Sequence, residues 1–460
     1  MLTIDRKLKV EDLKSSIESL FDLSGRKILV LEKAWNPSKG APVFTEAGSY
    51  VSQGWTDWTH GFQFGSALLQ FDATRDEQFL RIARRGISAH MPRHVSHVGV
   101  HDHGFNIIST YGNLLRMIRE NTLTRDSDVE GIELALKVSG AVQAARWTSL
   151  PAGLGYIYSF NGPHSLFADT VRSLRSLAVA HLLGHILKEE GDCKVNLLHR
   201  LLTHAETTAR YNIYFGEGRD AYDVRGRVAH ESIFNLRNGS YRCPSTQQGY
   251  SPFSTWTRGL AWILLGYAEE LEFLAELPSS EFKPQWNKAI VLKRFKDAAS
   301  AVADYYIEET PVDGIPYWDT GAPGLRNLGD YLNEPADPTN DMEPVDSSAA
   351  VIAAQGFLRL GAFHLKSGDK KSGERYFQCG LTIARTLFND PYISQKPGHQ
   401  GLILHSVYHR PNNWDYIPKG SRVPRGESSM WGDYHARELG LVLLRMVGSQ
   451  SPYSFWKHLR

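Results

Sequence analysis

The chain has 460 residues, 42% hydrophobic and 22% charged, with a formal net charge of +1. These proportions suit a globular chain with a large core. Near-neutrality removes the electrostatic ground for nucleic acid or an anionic membrane as partner. The opening MLTIDRKLKVEDL holds no apolar leader, and no run approaches the ~20 apolar residues of a membrane span. Cys193, Cys243 and Cys379 are far apart and odd in number, so neither a disulfide framework nor a Cys-X-X-Cys site is expected, and a reducing, cytoplasmic location fits.

Apolar residues at helical spacing predict helices over 6–21, 59–71, 75–91, 104–120, 126–147 and 167–187. Further helices are predicted over 195–214, 255–274, 286–306, 347–365, 370–388 and 430–446. Between the seventh and eighth lies a polar stretch, 216–251, with some strand character. No Ser-, Pro- or Gly-rich linker divides the chain, so one catalytic domain over 1–460 is expected. Helices of similar length in adjacent pairs suggest an all-α fold, six hairpins closing into an (α/α)6 toroid. An open helical solenoid accounts for the same count.

The loops before even-numbered helices decide between them. They carry Trp55-Thr56-Asp57-Trp58-Thr59-His60, then His101-Asp102-His103-Gly104-Phe105, then Asn161-Gly162-Pro163-His164 leading to Asp169. Next come Gln247-Gln248-Gly249-Tyr250 leading to Trp256-Thr257-Arg258, Asp346-Ser347-Ser348, and Trp431-Gly432-Asp433-Tyr434. Loops before odd-numbered helices are mostly generic. In a six-hairpin toroid every second helix is an inner one and all inner helices start at the same end. The unusual residues then converge on one rim, where a solenoid would spread them along a ridge.

Asp102 and Asp169 are the candidates for acid/base work. Aspartate is also a favoured helix N-cap, the plainest reading of Asp346. Asp102 is flanked by two histidines, and Asp169 falls inside an apolar stripe, where an unpaired charge is costly. Burial and a second carboxylate raise a carboxyl pKa, while a helix N-terminus favours the anion. Burial and repulsion are expected to win at the proton donor. Arg258, at a helix start, suits an anionic ligand group, or else a structural ion pair with a pocket aspartate. His101 and His230 lack the spacing of metal ligands, so no metal or other cofactor is expected, and His103 alone reads as structural. Trp58, Trp256, Trp318 and Trp431 stand in polar company that suits sugar stacking as well as core packing. No Gly-rich phosphate loop and no Gly-X-Ser-X-Gly elbow is present.

As a set in this order, these motifs resemble the unsaturated glucuronyl hydrolases of glycoside hydrolase family 88. The resemblance runs from about Trp55 to Arg445 and includes Pro316-Tyr317-Trp318-Asp319 and Asp346-Ser347-Ser348-Ala349-Ala350. It implies an (α/α)6 barrel that removes a 4-deoxy-4,5-unsaturated uronic acid from the non-reducing end of lyase-generated oligosaccharides. It also implies hydration of a vinyl ether, with protonation at C4 and addition of water at C5. Carried over by motif, Asp169 matches the acid/base and Asp102 the second essential aspartate. His230 and Gln248 match pocket residues, Arg258 and Trp262 stand beside the uronate, Trp58 matches a stacking aromatic, and Trp431 and Tyr434 complete the expected binding set.

This chain departs from the family pattern at Gln247, at Val345 and at Phe160, and has extra residues at 219–226 and 326–344; these departures bear on substrate specificity. The expected partner is an unsaturated oligosaccharide, and the chain is expected as a monomer or weak homo-oligomer. Three alternatives remain. A hydrolase of a saturated or other uronide would turn over a plain glucuronide. A sugar 2-epimerase would depend on His230 and His103. A noncatalytic sugar-binding protein would have no use for both aspartates.

Overall fold

The computed structural model describes residues 1–53, 57–124, 128–282, 286–457 and 459. Trp55 and Asp126 of the sequence reading lie outside them. Helices form where apolar residues recur at helical spacing: α1 (Lys14–Ala34), α2 (His60–Thr74), α3 (Glu77–His90) and the single turn α4 (Pro92–Val95). There follow α5 (His103–Ile107), which passes through a π turn at Ile108–Gly112 into α6 (Asn113–Arg119), and then α7 (Val129–Ala145). The remainder are α8 (Thr170–Ser173), α9 (Arg175–Leu182), α10 (Leu197–Tyr211), α11 (Thr257–Glu276), α12 (Lys288–Glu308), α13 (Ser347–Lys366), α14 (Lys370–Leu387) and α15 (Met430–Val447). Taking α5–α6 and α8–α9 each as one interrupted helix, and leaving aside the single turn α4, gives twelve helices among the described residues.

Six of them form a closed inner ring. α2 packs on α5, α5 on α8, α8 on α11, α11 on α13, α13 on α15, and α15 returns to α2. The others stand outside as hairpin partners: α3 against α2, α7 against α9, α12 against α11, α14 against α13. Return of the last inner helix to the first settles the architecture as a toroid. The strands are small: β1 (Pro42–Glu46) with β2 (Ser49–Ser52), β3 (Trp147–Ser149) with β4 (Gly155–Ile157), and β6 (Ile186–Lys188) with β7 (Lys194–Asn196). β5 (Ser165–Phe167), β8 (Glu231–Phe234) and β9 (Tyr241–Ser245) make a three-stranded antiparallel sheet, two strands of it from the polar stretch that suggested them.

The repeated His-Gly-Phe pattern has a packing cause. A Cβ added at Gly61 of α2 would run into the backbone of Asn106, and one at Gly104 of α5 into the backbone of Ser173. Each glycine therefore lets the next inner helix approach closely at its first turn.

Three expectations need correction. The first helix is Lys14–Ala34, not 6–21. Ser24-Gly25 does not end it, because Gly25 lies against Phe79 and Gln70 and Ile28 stays buried. Asp169 is not inside a helix: 165–167 is strand, and Asp169 precedes the first turn of α8. Among the described residues one helix, α13, is long and apolar enough by composition to match a membrane span. Its apolarity comes from its place in the inner ring, where nearly all of it is buried.

The toroid's interior also holds charge. Arg172 meets Glu269 at 2.5 Å and Glu438 at 3.4 Å, and Arg359 meets Glu272 at 2.5 Å. Arg175 stands 3.8 Å from Glu438. The Tyr434 and Tyr453 hydroxyls donate to Glu438. Burial would raise Glu438, but Arg172 and Arg175 hold it down at about 2, so Glu438 stays ionised. Removing one member of such a network leaves a buried charge unpaired, at a cost of roughly 3–5 kcal/mol.

Candidate active site

The inner helices all begin at one rim, and the residues immediately before their first turns are Thr59, Asp102, Asp169, Trp256, Asp346 and Ser429. Two of the polar ones are ordinary caps. Asp346 accepts from the Ser348 and Ala349 amides, and Ser429 from the Gly432 amide. Asp102 and Asp169 occupy the same position without a side-chain cap bond. Their carboxylates are therefore not spent on the helix and face the pocket.

That pocket is lined by apolar Trp58, Phe105, Phe160, Phe167, Trp256 and Trp262, with a polar end at His101, Asp102 and Asp169. His101 Nε2 lies 3.5 Å from Asp102 Oδ1 and 3.5 Å from Asp169 Oδ2. One donor atom from each of the three falls within 4.8 Å of the others. His230 supports Asp169 from behind. Its Nδ1 accepts the Gln247 and Gln248 amides at 3.1 and 3.3 Å, so in the neutral ring the proton is on Nε2, 3.8 Å from Asp169 Oδ1.

The electrostatics reverse one expectation. Burial, and then repulsion from Asp169, raise Asp102 against the pull of His101. Burial acts on Asp169 too, but the nearby His101 imidazole, 3.5 Å away, and then His230 outweigh it, and Asp169 is lowered. Burial would lower His101, but Asp102 and Asp169 carry it upward. In the free protein a proton is therefore held more readily at His101 and Asp102 than at Asp169.

Arg258 turns out to be held by the protein. Its Nη1 donates to Asp346 Oδ2 at 3.1 Å and to the Val407 carbonyl, and its Nη2 to Gln248 Oε1 at 2.9 Å and the Tyr408 carbonyl at 2.8 Å. It lies between the rings of Trp256 and Trp431, 4.6 and 4.8 Å from their centroids. Of the two readings, the structural ion pair is the one formed, with Asp346 as partner.

Trp58, Gln248, Arg258 and Trp262 line the pocket as expected. Trp431 and Tyr434 do not. Trp431 is fully buried behind Trp58, stacked at 5.1 Å, with its Nε1 donating to Ser348. Tyr434 is directed into the ring interior, toward Asn113 and Glu438. Asp433 faces away, accepting from the Leu402 and Ile403 amides and the Tyr50 hydroxyl. Trp318 is core, with its Nε1 on Glu343. His103 is structural: Nε2 donates to the His97 carbonyl, Nδ1 takes the Ser139 hydroxyl, and burial lowers it to about 4.

Sequence reasoning passed over Tyr408, His409 and Trp414, which line the pocket from the connection between α14 and α15. The signal was present. Tyr408-His409-Arg410-Pro411-Asn412-Asn413-Trp414-Asp415 has the same density of aromatic and polar residues as the other rim loops.

Two clusters among the described residues bring metal-type donors together. His101, Asp102 and Asp169 do so at the pocket, and Asp57, His60 and His94 at the mouth of α2. In the second, Arg93 stands 3.3 Å from His60 Nδ1 and 3.7 Å from Asp57, placing a cation where a metal would sit.

No family model matches the sequence. The unsaturated glucuronyl hydrolase of Formosa agariphila is 23% identical over 386 residues, 83% of this chain and 78% of that protein. The unsaturated glucuronyl hydrolase of Bacillus sp. is 26% identical over 405 residues, 87% and 90% of the two chains. A crystal structure of an unsaturated glucuronyl hydrolase specific for heparin superposes with a TM-score of 0.70 at 20% identity, covering 95% of this chain and 98% of the other.

The chain is similar to unsaturated glucuronyl hydrolases in sequence and in fold. Similarity to these hydrolases spans most of each chain, so the toroid is shared as a whole. The fold agrees with the expectation from helix count and rim motifs.

Proposed function

We propose that the protein is a glycoside hydrolase that removes a 4,5-unsaturated uronic acid from the non-reducing end of an oligosaccharide. One observation carries the reading: two buried aspartates at adjacent helix mouths, neither used as a cap, joined through His101 at the polar end of an aromatic-walled pocket. Aromatic walls suit the faces of sugar rings.

In the proposed reaction Asp169 delivers a proton to C4 while the ring oxygen supplies electrons to C5. Water then adds at C5 and returns its proton to Asp169. The resulting hemiketal opens by breaking the C5–O5 bond, and the freed C1 hemiacetal expels the aglycone as an alcohol. Asp169 is an anion in the free protein and must first be protonated. The incoming uronate supplies the cause: a second negative charge in a pocket it closes to water raises the carboxyl pKa values, so Asp169 takes up a proton from solvent, and His101 lies within reach of both carboxylates to relay it. The separation rule for ordinary inverting and retaining pairs does not apply, since no displacement occurs at the anomeric carbon.

Turnover in D2O tests the route. Hydration places one deuterium at C4, while direct displacement at C1 places none. The epimerase alternative needed His103 as an acid or base, and that imidazole is committed to Ser139 and His97.

A further inference from the structure

His409 has a side chain whose bonding is incomplete. Its imidazole is 2% exposed and lines the pocket beside Tyr408 and Trp414, with the Trp414 ring 4.8 Å away. Its backbone is fixed, since Asp415 accepts the Tyr408 amide at 2.5 Å and the His409 amide at 3.1 Å. Nδ1 accepts the Asn412 amide at 3.3 Å, so the neutral ring carries its proton on Nε2. That Nε2 is buried and has no hydrogen-bond partner among the described residues. Burial, then Arg258 and His230, lower the ring to about 4, so it stays a neutral donor. Buried donors are almost always satisfied, and one left open on a pocket wall calls for an acceptor from the ligand.

Arg258 explains why that acceptor should be anionic. Both of its terminal nitrogens are committed to Asp346, Gln248 and the Val407 and Tyr408 carbonyls, so its fork is not offered to a ligand. Its charge nevertheless acts on this end of the pocket, and its bond to the Tyr408 carbonyl sets the backbone that carries His409. The Asp102–Asp169 end, by contrast, repels a carboxylate.

We propose that His409 receives the carboxylate of the uronic acid through Nε2–H, with Arg258 as a positioning residue behind it. This rests on the proposed function and names the group that selects an acidic sugar.

The test compares an unsaturated uronyl disaccharide with its uronate methyl ester, in wild type, His409→Asn, His409→Gln and His409→Phe. Asn keeps an acceptor near Nδ1 for the Asn412 amide and deletes the Nε2 donor; Gln restores a donor near Nε2. His409→Asn should raise KM for the acid about 10- to 100-fold, the worth of a hydrogen bond to a charged group, with a smaller change in kcat. It should also erase the wild-type preference for acid over ester, and His409→Gln should restore much of it. His409→Phe should behave as Asn does if it folds, and the Asn and Gln pair decides the matter if it does not. Unchanged KM and an unchanged acid/ester ratio in His409→Asn overturn the proposal. A wild type that turns over no unsaturated uronide overturns the reading beneath it, and the proposal with it.

Discussion

Buried neutral histidines make this fold sensitive to acid. Burial, first among the causes at each, lowers His60, His204 and His435 to about 3, and His94, His103, His405 and His409 to about 4. All seven are buried. A depressed folded pKa means that the unfolded chain binds the proton first. Each such group therefore contributes stability that is present above its unfolded pKa of 6.5 and is lost as pH falls toward 4. Between about pH 7 and about pH 5 the loss is roughly 2 kcal/mol per histidine, about 14 kcal/mol for the set. Asp313, Asp319 and Asp415, which burial raises to about 6, work the other way. Their stabilisation grows as pH falls through 6, by about 1 kcal/mol each. His101, where burial is outweighed by Asp102 and Asp169, adds to that side. Asp102, Glu270, Glu272 and Asp433, which burial also raises, oppose the loss as well, so the net fall is smaller than the histidine sum. Thermal melts from about pH 8 to about pH 5 should show a steep fall in Tm beginning near 6.5. His204→Asn supplies an internal control, since its Oδ1 can replace Nδ1 as acceptor for the Ile157 amide at 2.9 Å. That variant should lose about 2 kcal/mol less over the same interval. A Tm at pH 5 equal to or above that at pH 7 would refute the reasoning.

Two further outcomes follow from the site. Gly104→Ala should destabilise the protein by roughly 1–3 kcal/mol, since the added methyl meets the Ser173 backbone, and turnover should fall because Asp102 shifts with α5. Melting and kcat measured together check it, and wild-type values for both contradict the close-approach argument. Substrate binding should take up close to one proton near neutral pH as Asp169 changes from anion to acid. Calorimetry in two buffers of different ionisation enthalpy reads this directly, and identical heats in both buffers count against it.

Much of this was legible in the residues. Helical periodicity and paired lengths gave the toroid, because each inner helix needs an apolar stripe on nearly every side. The rim was legible because Trp, His, Asp and Gly cluster before alternate helices, each with a local cause: a cap at Asp346, a close approach at Gly104, a pocket carboxylate at Asp102. Side-chain direction was not. Trp431 and Tyr434 share a motif with Asp433, yet successive positions on a helix face different ways, and all three turn from the pocket. Arg258 looked available because its four acceptors come from loops up to 150 residues away. The order of proton affinities was hidden for the same reason, since His230 reaches Asp169 through the fold and not through sequence.

The most direct measurement is the ultraviolet absorbance of the 4,5-double bond in lyase-generated disaccharides incubated with wild-type protein and with Asp169→Asn. The account predicts that at least one unsaturated uronide loses its absorbance with wild type, and that the variant is slower by several orders of magnitude. Absorbance that persists across chondroitin, hyaluronan, heparin, gellan and ulvan products, or an Asp169→Asn rate equal to wild type, would contradict it.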